Sequence, residues 1–422
     1  MSRHFSKKKR ALVRHSLLLL FCSVGIGCSA GYVFYHFHIS GKDAILSSSA
    51  HLGTLASGIV DPSDLLAGYM LGAPPDDTRI LIVPGHEPEY GGAQFDNINE
   101  RDLVVEIGQD LQHYLQANTK DTVFMTRNTQ AWAPTFADYF KNNMAVIAAW
   151  EQAARQNASK LSSLGVQSAP TIDHISVPTD VALRLYGITK WANENSIGLM
   201  IHLHLNDYPG HGDTVPGKYS GLVIYTPALQ YANSAATKAI ADAMFKRLSL
   251  YNPISDFPSE SNGLVDDPEL IAVGSNNTSD AASMLIEYDY LYEPQFVNPK
   301  VRSLALKDLA YQTYLGLQDF FTGNKPTAAT SLYDPSSLYT WNTPVAGKNA
   351  NPEDIYALQT ALLMDGDFPP VGKTKNDCPH SGVFGSCTKA ALQAFQKKNG
   401  IVGESAGGLN TFALLNKIYT EK

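Results

Sequence analysis

From residue 79 to residue 321 the chain alternates between two kinds of hydrophobic spacing, and that alternation restricts it to one broad class of fold. Short apolar runs at 79–83, 122–126, 197–205, 222–225 and 282–288 read as buried strands. Between them, 99–115, 183–193, 235–248 and 300–321 read as helices. In the first of these, Leu103, Ile107, Leu111 and Leu115 recur on one face. Strands alternating with helices in this way predict an α/β fold with a mostly parallel sheet covered by helices on both faces. Such sheets hold their ligands at the carboxyl edge of the strands.

Several of these elements begin or end on groups that bind metals or move protons. The strand 79–83 runs into Pro84-Gly85-His86, whose turn aims an imidazole at the sheet edge. Glu100 opens the next helix, where a carboxylate is electrostatically welcome in any case. In Leu199-Met200-Ile201-His202-Leu203-His204-Leu205-Asn206 both histidines fall on one face of a strand whose other face is aliphatic. Two imidazoles on a buried strand need partners, and a metal ion supplies one. Met284-Leu285-Ile286 leads to Glu287. Histidine, glutamate, histidine and glutamate held on rigid elements are the donors expected of a catalytic Zn2+ with an open position for water.

The 422 residues exceed one ordinary core, so more than one domain is expected. Net charge is -8, and the one dense basic cluster is Lys7 to Arg10 with Arg14, so no nucleic-acid partner is indicated. An uncharged stretch over 16–36 follows, and roughly 20 such residues suffice to cross a bilayer as a helix. Residues 1–38 are therefore expected to form a cytoplasmic basic tail and a transmembrane anchor, with everything downstream outside the cytoplasm. Cleavage of a signal peptide, or lipidation at Cys28, are the alternatives. Continuation of the apolar run to Phe37 favours the uncleaved anchor.

Residues 39–77, rich in Ser, Gly, Ala and Pro, read as a stalk, and a second composition shift over 324–350 reads as a linker. These bound a large domain at 78–323 and a small one at 351–422. Within the large domain, 130–180 breaks the strand–helix rhythm. It leaves the carboxyl end of 122–126, so it is expected on the same edge as His86, either as a lid or regulatory flap or as packing remote from the site. Cys378 and Cys387 can close a short disulfide in an oxidising compartment. Two unrelated thiols, or a metal knuckle with His380, are the alternatives.

Taken in order, Ile82-Val83-Pro84-Gly85-His86, Asn99-Glu100-Arg101-Asp102, Met125-Thr126-Arg127-Asn128-Thr129, Leu183-Arg184 with Ala192-Asn193, His204-Leu205-Asn206 and Leu285-Ile286-Glu287 resemble the zinc-dependent N-acetylmuramoyl-L-alanine amidases over about 78–323. The resemblance implies His86, Glu100 and His204 as zinc ligands and Glu287 as the catalytic carboxylate. It implies hydrolysis of the amide joining N-acetylmuramic acid to L-alanine in peptidoglycan. Three departures stand out. Glu87-Pro88-Glu89-Tyr90 separates His86 from Gly91-Gly92, where the family has glycines at once. His202 stands where the family has serine. Tyr288-Asp289-Tyr290 follows Glu287. His202, Asn206, Asp289 and Arg127 are thus candidates for groups beside the metal or facing the substrate, and an activator protein acting on 130–180 is a further possible partner.

The C-terminal residues resemble a three-helix peptidoglycan-binding domain. The marks are Leu358-Gln359, Gly382-Val383-Phe384-Gly385 with Thr388, and Ala394-Phe395-Gln396. Cys378 and Cys387 would then staple the loop between its first two helices. Anchor, stalk, catalytic domain and wall-binding domain together describe a membrane-tethered wall hydrolase. The alternative is a noncatalytic peptidoglycan-binding or regulatory protein that keeps the amidase fold.

Overall fold

The computed structural model describes residues 78–165, 167–168, 171–174, 178–208, 210–323, 339–341, 350–404 and 407–419. The expected anchor over 1–38, the stalk over 39–77 and most of the 324–350 linker lie outside the described residues. Among the described residues no helix is long and apolar enough to cross a membrane.

The large domain is built on a six-stranded sheet of β1 (Arg79–Pro84), β4 (Thr122–Met125), β5 (Leu199–Asn206), β6 (Val223–Pro227), β7 (Leu264–Asp267) and β8 (Ala282–Tyr290). The spatial order is β4-β1-β5-β8-β6-β7. All neighbouring pairs are parallel except β8 with β6. The strand–helix alternation thus produces the mostly parallel sheet it predicts. The edge strand β7 and the two-residue pair β2 (Gln94–Phe95) and β3 (Ile98–Asn99) carry too few apolar residues to be anticipated.

Helices cover both faces. On one side lie α1 (Glu100–Asn118), α4 (Ser234–Leu248) and α6 (Pro299–Thr322), the last preceded by the single-turn α5 (Pro294–Val297). On the other lie α2 (Pro134–Ser163) and α3 (Thr179–Glu194). α3 starts four residues before the expected 183 because Pro178 fixes the entry and Asp180 suits the first turn. Side-chain parity assigns each strand residue to a face. Ile80, Ile82, Ile201, Leu203, Met284 and Ile286 enter the α1/α4/α6 core, whereas Leu81, Val83 and Met200 enter the α2/α3 core.

The C-terminal segment has the three expected helices, α7 (Pro352–Asp365), α8 (Ser386–Lys398) and α9 (Leu409–Tyr419). Its core gathers Trp341, Leu358, Leu362, Leu392, Phe395 and Leu415. Gln359 shows why a buried amide occurs in an apolar helix. Its carbonyl accepts from the backbone N–H groups of Ser381 and Gly382, and its amide donates to Val383 O and Thr388 Oγ1, so one side chain fixes the loop ahead of α8. Cys378 and Cys387 are joined in a disulfide across that loop. His380 is not a metal ligand: it stacks on Tyr356 with ring centroids 3.8 Å apart and bonds Thr360 and Tyr356 O. The same loop touches the large domain, where Lys375 Nζ donates to Ser249 O and Asn376 Nδ2 to Ile254 O.

Candidate metal centre and active site

His86, Glu100 and His204 converge from three separate elements at the carboxyl edge of the sheet. One ligand-capable atom from each lies within 4.8 Å of the other two. Glu100, 3% exposed, is the hub. Its Oε1 is 2.9 Å from His204 Nδ1 and accepts from the backbone N–H of Leu205, while its Oε2 accepts from the N–H of Ala93. His86 Nε2 approaches Glu100 Oε2 at 2.8 Å but without hydrogen-bond alignment. Burial alone would raise the Glu100 carboxyl, yet the two imidazoles hold it well below the usual carboxylate range. Burial also lowers His204, opposed by Glu100, so its imidazole is pushed toward the neutral form a metal ligand requires. A fixed carboxylate with two ring nitrogens, one lacking an aligned partner, fits Zn2+ better than it fits a self-contained hydrogen-bond cluster.

Local backbone features make this convergence possible. His86 sits at φ 66°, an unusual conformation for a residue with a side chain. Buried Arg127 holds it there. Its Nε donates to His86 O at 2.9 Å, while its terminal nitrogens donate to the carbonyls of Gly85, Arg101 and Asn128. Burial pushes this guanidinium down to about 10, still charged at neutral pH. A Cβ at Gly85 would come within 2.3 Å of the His204 ring. A Cβ at Gly92, where φ is 82°, would come within 2.9 Å of His86 and 3.2 Å of Glu100. The displaced glycine therefore still makes a close approach to the cluster. The inserted Glu87 turns away to pair with Arg184 Nε at 2.9 Å, and Arg184 also binds Asp180 and Tyr90.

Glu287 is paired with His204 across β5 and β8. Strands at that spacing, about 5 Å, raise the two side chains side by side. Its Oε2 is sealed from solvent without a hydrogen-bond partner. Burial raises its carboxyl well above the ordinary value, and the charges of Glu100 and Glu260 raise it further. His202 lies one strand repeat deeper on the same face, 2% exposed, with Nε2 unpartnered. Burial pushes its pKa down to about 3. Asn206 donates to Glu260, placing it at the border of the site. Asp289 does not join the cluster. Its carboxylate accepts from the N–H groups of Gly221 and Tyr290 and from Gln295, so the chain folds it into the turn before β6.

Glu260 was not anticipated. It is 5% exposed and gathers Tyr225 OH at 2.8 Å, Ser255 Oγ at 2.6 Å and the Asn206 amide. Nothing in Pro258-Ser259-Glu260-Ser261 marks it, because its partners are remote in sequence. A cavity of about 430 Å3 opens beside the cluster and reaches His86, His204 and His202. The 130–180 insertion contributes Ile172, Asp173 and His174 to its wall, so this part of the insertion is not remote packing.

The N-acetylmuramoyl-L-alanine amidase family profile matches residues 80–318, more than half of the chain. The chain belongs to this family. No curated protein matches its sequence. Among solved structures, the chain is similar to the N-acetylmuramyl-L-alanine amidase Ami1 from Mycobacterium smegmatis, with 14% identity over 58% of this chain and 98% of that one and a TM-score of 0.39. An N-acetylmuramoyl-L-alanine amidase from Clostridium difficile 630 gives 15% identity over 59% and 99% of the two chains, with a TM-score of 0.37. The CwlD amidase from Clostridioides difficile, solved in complex with the GerS lipoprotein, gives 13% identity, 58% and 100% coverage and a TM-score of 0.38.

Proposed function

We propose that the chain hydrolyses the amide between the lactyl group of N-acetylmuramic acid and L-alanine in peptidoglycan, with zinc held by His86, Glu100 and His204. The observation that carries this reading is the meeting of those three donors within 4.8 Å, with the unpartnered Glu287 carboxylate rising beside His204. Bound there, Zn2+ would polarise the scissile carbonyl and bring the pKa of a water toward about 7. Glu287 then accepts the proton of the attacking water, and its raised affinity for protons suits it to that task. It returns the proton to the alanine nitrogen as the C–N bond breaks, leaving a lactyl carboxylate and a free stem peptide. Arg127 holds the His86 backbone in place through this cycle, and Glu100 keeps the His204 ring oriented.

The basic cluster before 16–36 supports a single-pass location in the cell membrane with the rest outside the cytoplasm. The Gln359-centred loop and three-helix core support a wall-binding role for 351–422. Tethering at both ends would raise the effective substrate concentration for a catalytic domain between them. A protein that binds the 130–180 insertion would alter access to the cavity, because Ile172 and His174 form part of its wall.

Mass spectrometry of products from purified muropeptides, with zinc and after chelation, tests the reading. Stem peptides with a free L-alanine amine are expected only with zinc. Binding to peptidoglycan without any release would instead establish the noncatalytic alternative.

A further inference from the structure

The cavity beside the metal cluster has a chemistry of its own. Val83, His202 and Leu285 are paired across β1, β5 and β8, and all three line it. They form a row one strand repeat, roughly 7 Å, below the row of His204 and Glu287. Ile188, Ile172 and Ile271 add aliphatic walls from three further segments. In this apolar surround the His202 Nε2 is fully shielded from solvent and has no hydrogen-bond partner. A ligand atom that moves in to complete that buried nitrogen gains affinity and selectivity together.

Charged groups sit elsewhere on the cavity wall, where Glu87 is paired with Arg184 and Asp173 with Arg155 beside Asp267 and Glu269, but none belongs to the row of Val83, His202 and Leu285. The part of an occupant that lies against this row is therefore neutral and largely apolar, with one hydrogen-bonding atom. We infer that this cavity is a substrate subsite in which His202 Nε2 hydrogen-bonds a secondary amide flanked by a methyl group. This rests on the proposed peptidoglycan reaction, whose substrate offers that chemistry twice near the scissile bond: in the acetamido group of the sugar and in the first stem residue. His202 is thus a specificity-determining residue one layer beneath the reacting atoms.

The test uses the full chain carrying Glu287→Gln, so that ligands are not consumed, loaded with zinc and titrated calorimetrically. The probes are N-acetylmuramoyl-L-alanyl-D-isoglutamine, its de-N-acetylated analogue and its L-lactate-for-L-alanine analogue, in which an ester oxygen replaces the amide N–H. One of the two deletions is expected to weaken binding about 10-fold, the worth of one hydrogen bond, and which one does so identifies the source. With His202→Leu added, that same deletion should cost less than about 2-fold, and His202→Gln should restore part of the discrimination. Leu185→Trp, which fills the cavity from α3, should weaken the intact ligand and remove the discrimination while zinc stoichiometry stays at one. The inference is overturned if both deletions bind like the intact ligand, or if discrimination survives both His202→Leu and Leu185→Trp. Wild-type chain that binds with His202-dependent selectivity yet cleaves nothing would sink the hydrolase reading alone. Cleavage with selectivity indifferent to His202 would sink the subsite alone.

Discussion

Adjacent residues of β5 meet opposite environments. Ile201, Leu203 and Leu205, at most 1% exposed, pack only into the aliphatic core under α1, α4 and α6. His202 and His204 face the other way, into the cavity and the metal cluster. The first face is conventional packing, in which every buried group has apolar neighbours. The second carries the unpartnered Nε2 of His202 and, on the neighbouring strand, the unpartnered Oε2 of Glu287. A single strand thus separates what makes the sheet rigid from what makes it reactive, and a one-residue register slip would exchange the two.

The largest break in that comparison is expected at Glu287. Glu287→Gln keeps the volume but cannot accept a proton, so turnover on muropeptides should fall roughly 10²- to 10⁴-fold with zinc content unchanged. Activity within a few-fold of wild type would show that another group moves the proton. On the rigid face, Leu203→Ala should cost roughly 2 to 5 kcal/mol in denaturant unfolding because it leaves a cavity in close-packed surroundings. His202→Leu, one residue away, should leave stability unchanged or raise it, as it removes an unpartnered polar atom. Equal losses at the two positions would erase the division between the faces.

How much of this was legible follows from the distance over which each feature is encoded. Parity within one strand is local, so the assignment of Ile201, Leu203 and Leu205 to one face and of His202 and His204 to the other could be read directly. The order of elements placed His86, His204 and Glu287 at one edge. Glu260 could not be read, because its meaning comes from Tyr225, Ser255 and Asn206, which only the closed sheet brings around it. Asp289 shows the converse error. Two residues past Glu287 it should share that face, but the register shifts between His204 and Asn206 and its carboxylate is taken up by the Gly221 turn. The cavity wall from Ile271 and Ile172 was likewise invisible, since it joins segments about a hundred residues apart.

The C-terminal domain offers a second contrast, a small core closed by a covalent staple beside a large one that needs none. Replacing Cys378 and Cys387 with alanine should cost the small domain about 2 to 3 kcal/mol by the chain-entropy estimate. Trp341, packed in that core, should report an earlier unfolding step by fluorescence. A single unchanged transition would mean that docking on the large domain, rather than the staple, holds the helices together.

The most gradual expected effect lies where α6 meets α7. Asp308 on α6 is 6% exposed, and burial pushes its carboxyl up to about 7, opposed by hydrogen bonds with Gln312 and with Tyr356 of α7. The folded chain therefore holds a proton there that the unfolded chain releases near pH 4. Unfolding expels that proton between about pH 4 and 7, so this group's contribution to stability is complete below that window and declines as pH rises through it. The slope from one group is at most about 1.4 kcal/mol per pH unit. Asp308→Asn removes it. Wild type and variant compared across this range should diverge progressively in favour of the variant, and parallel curves would show that Asp308 titrates normally and that this contact is wetter than its packing implies.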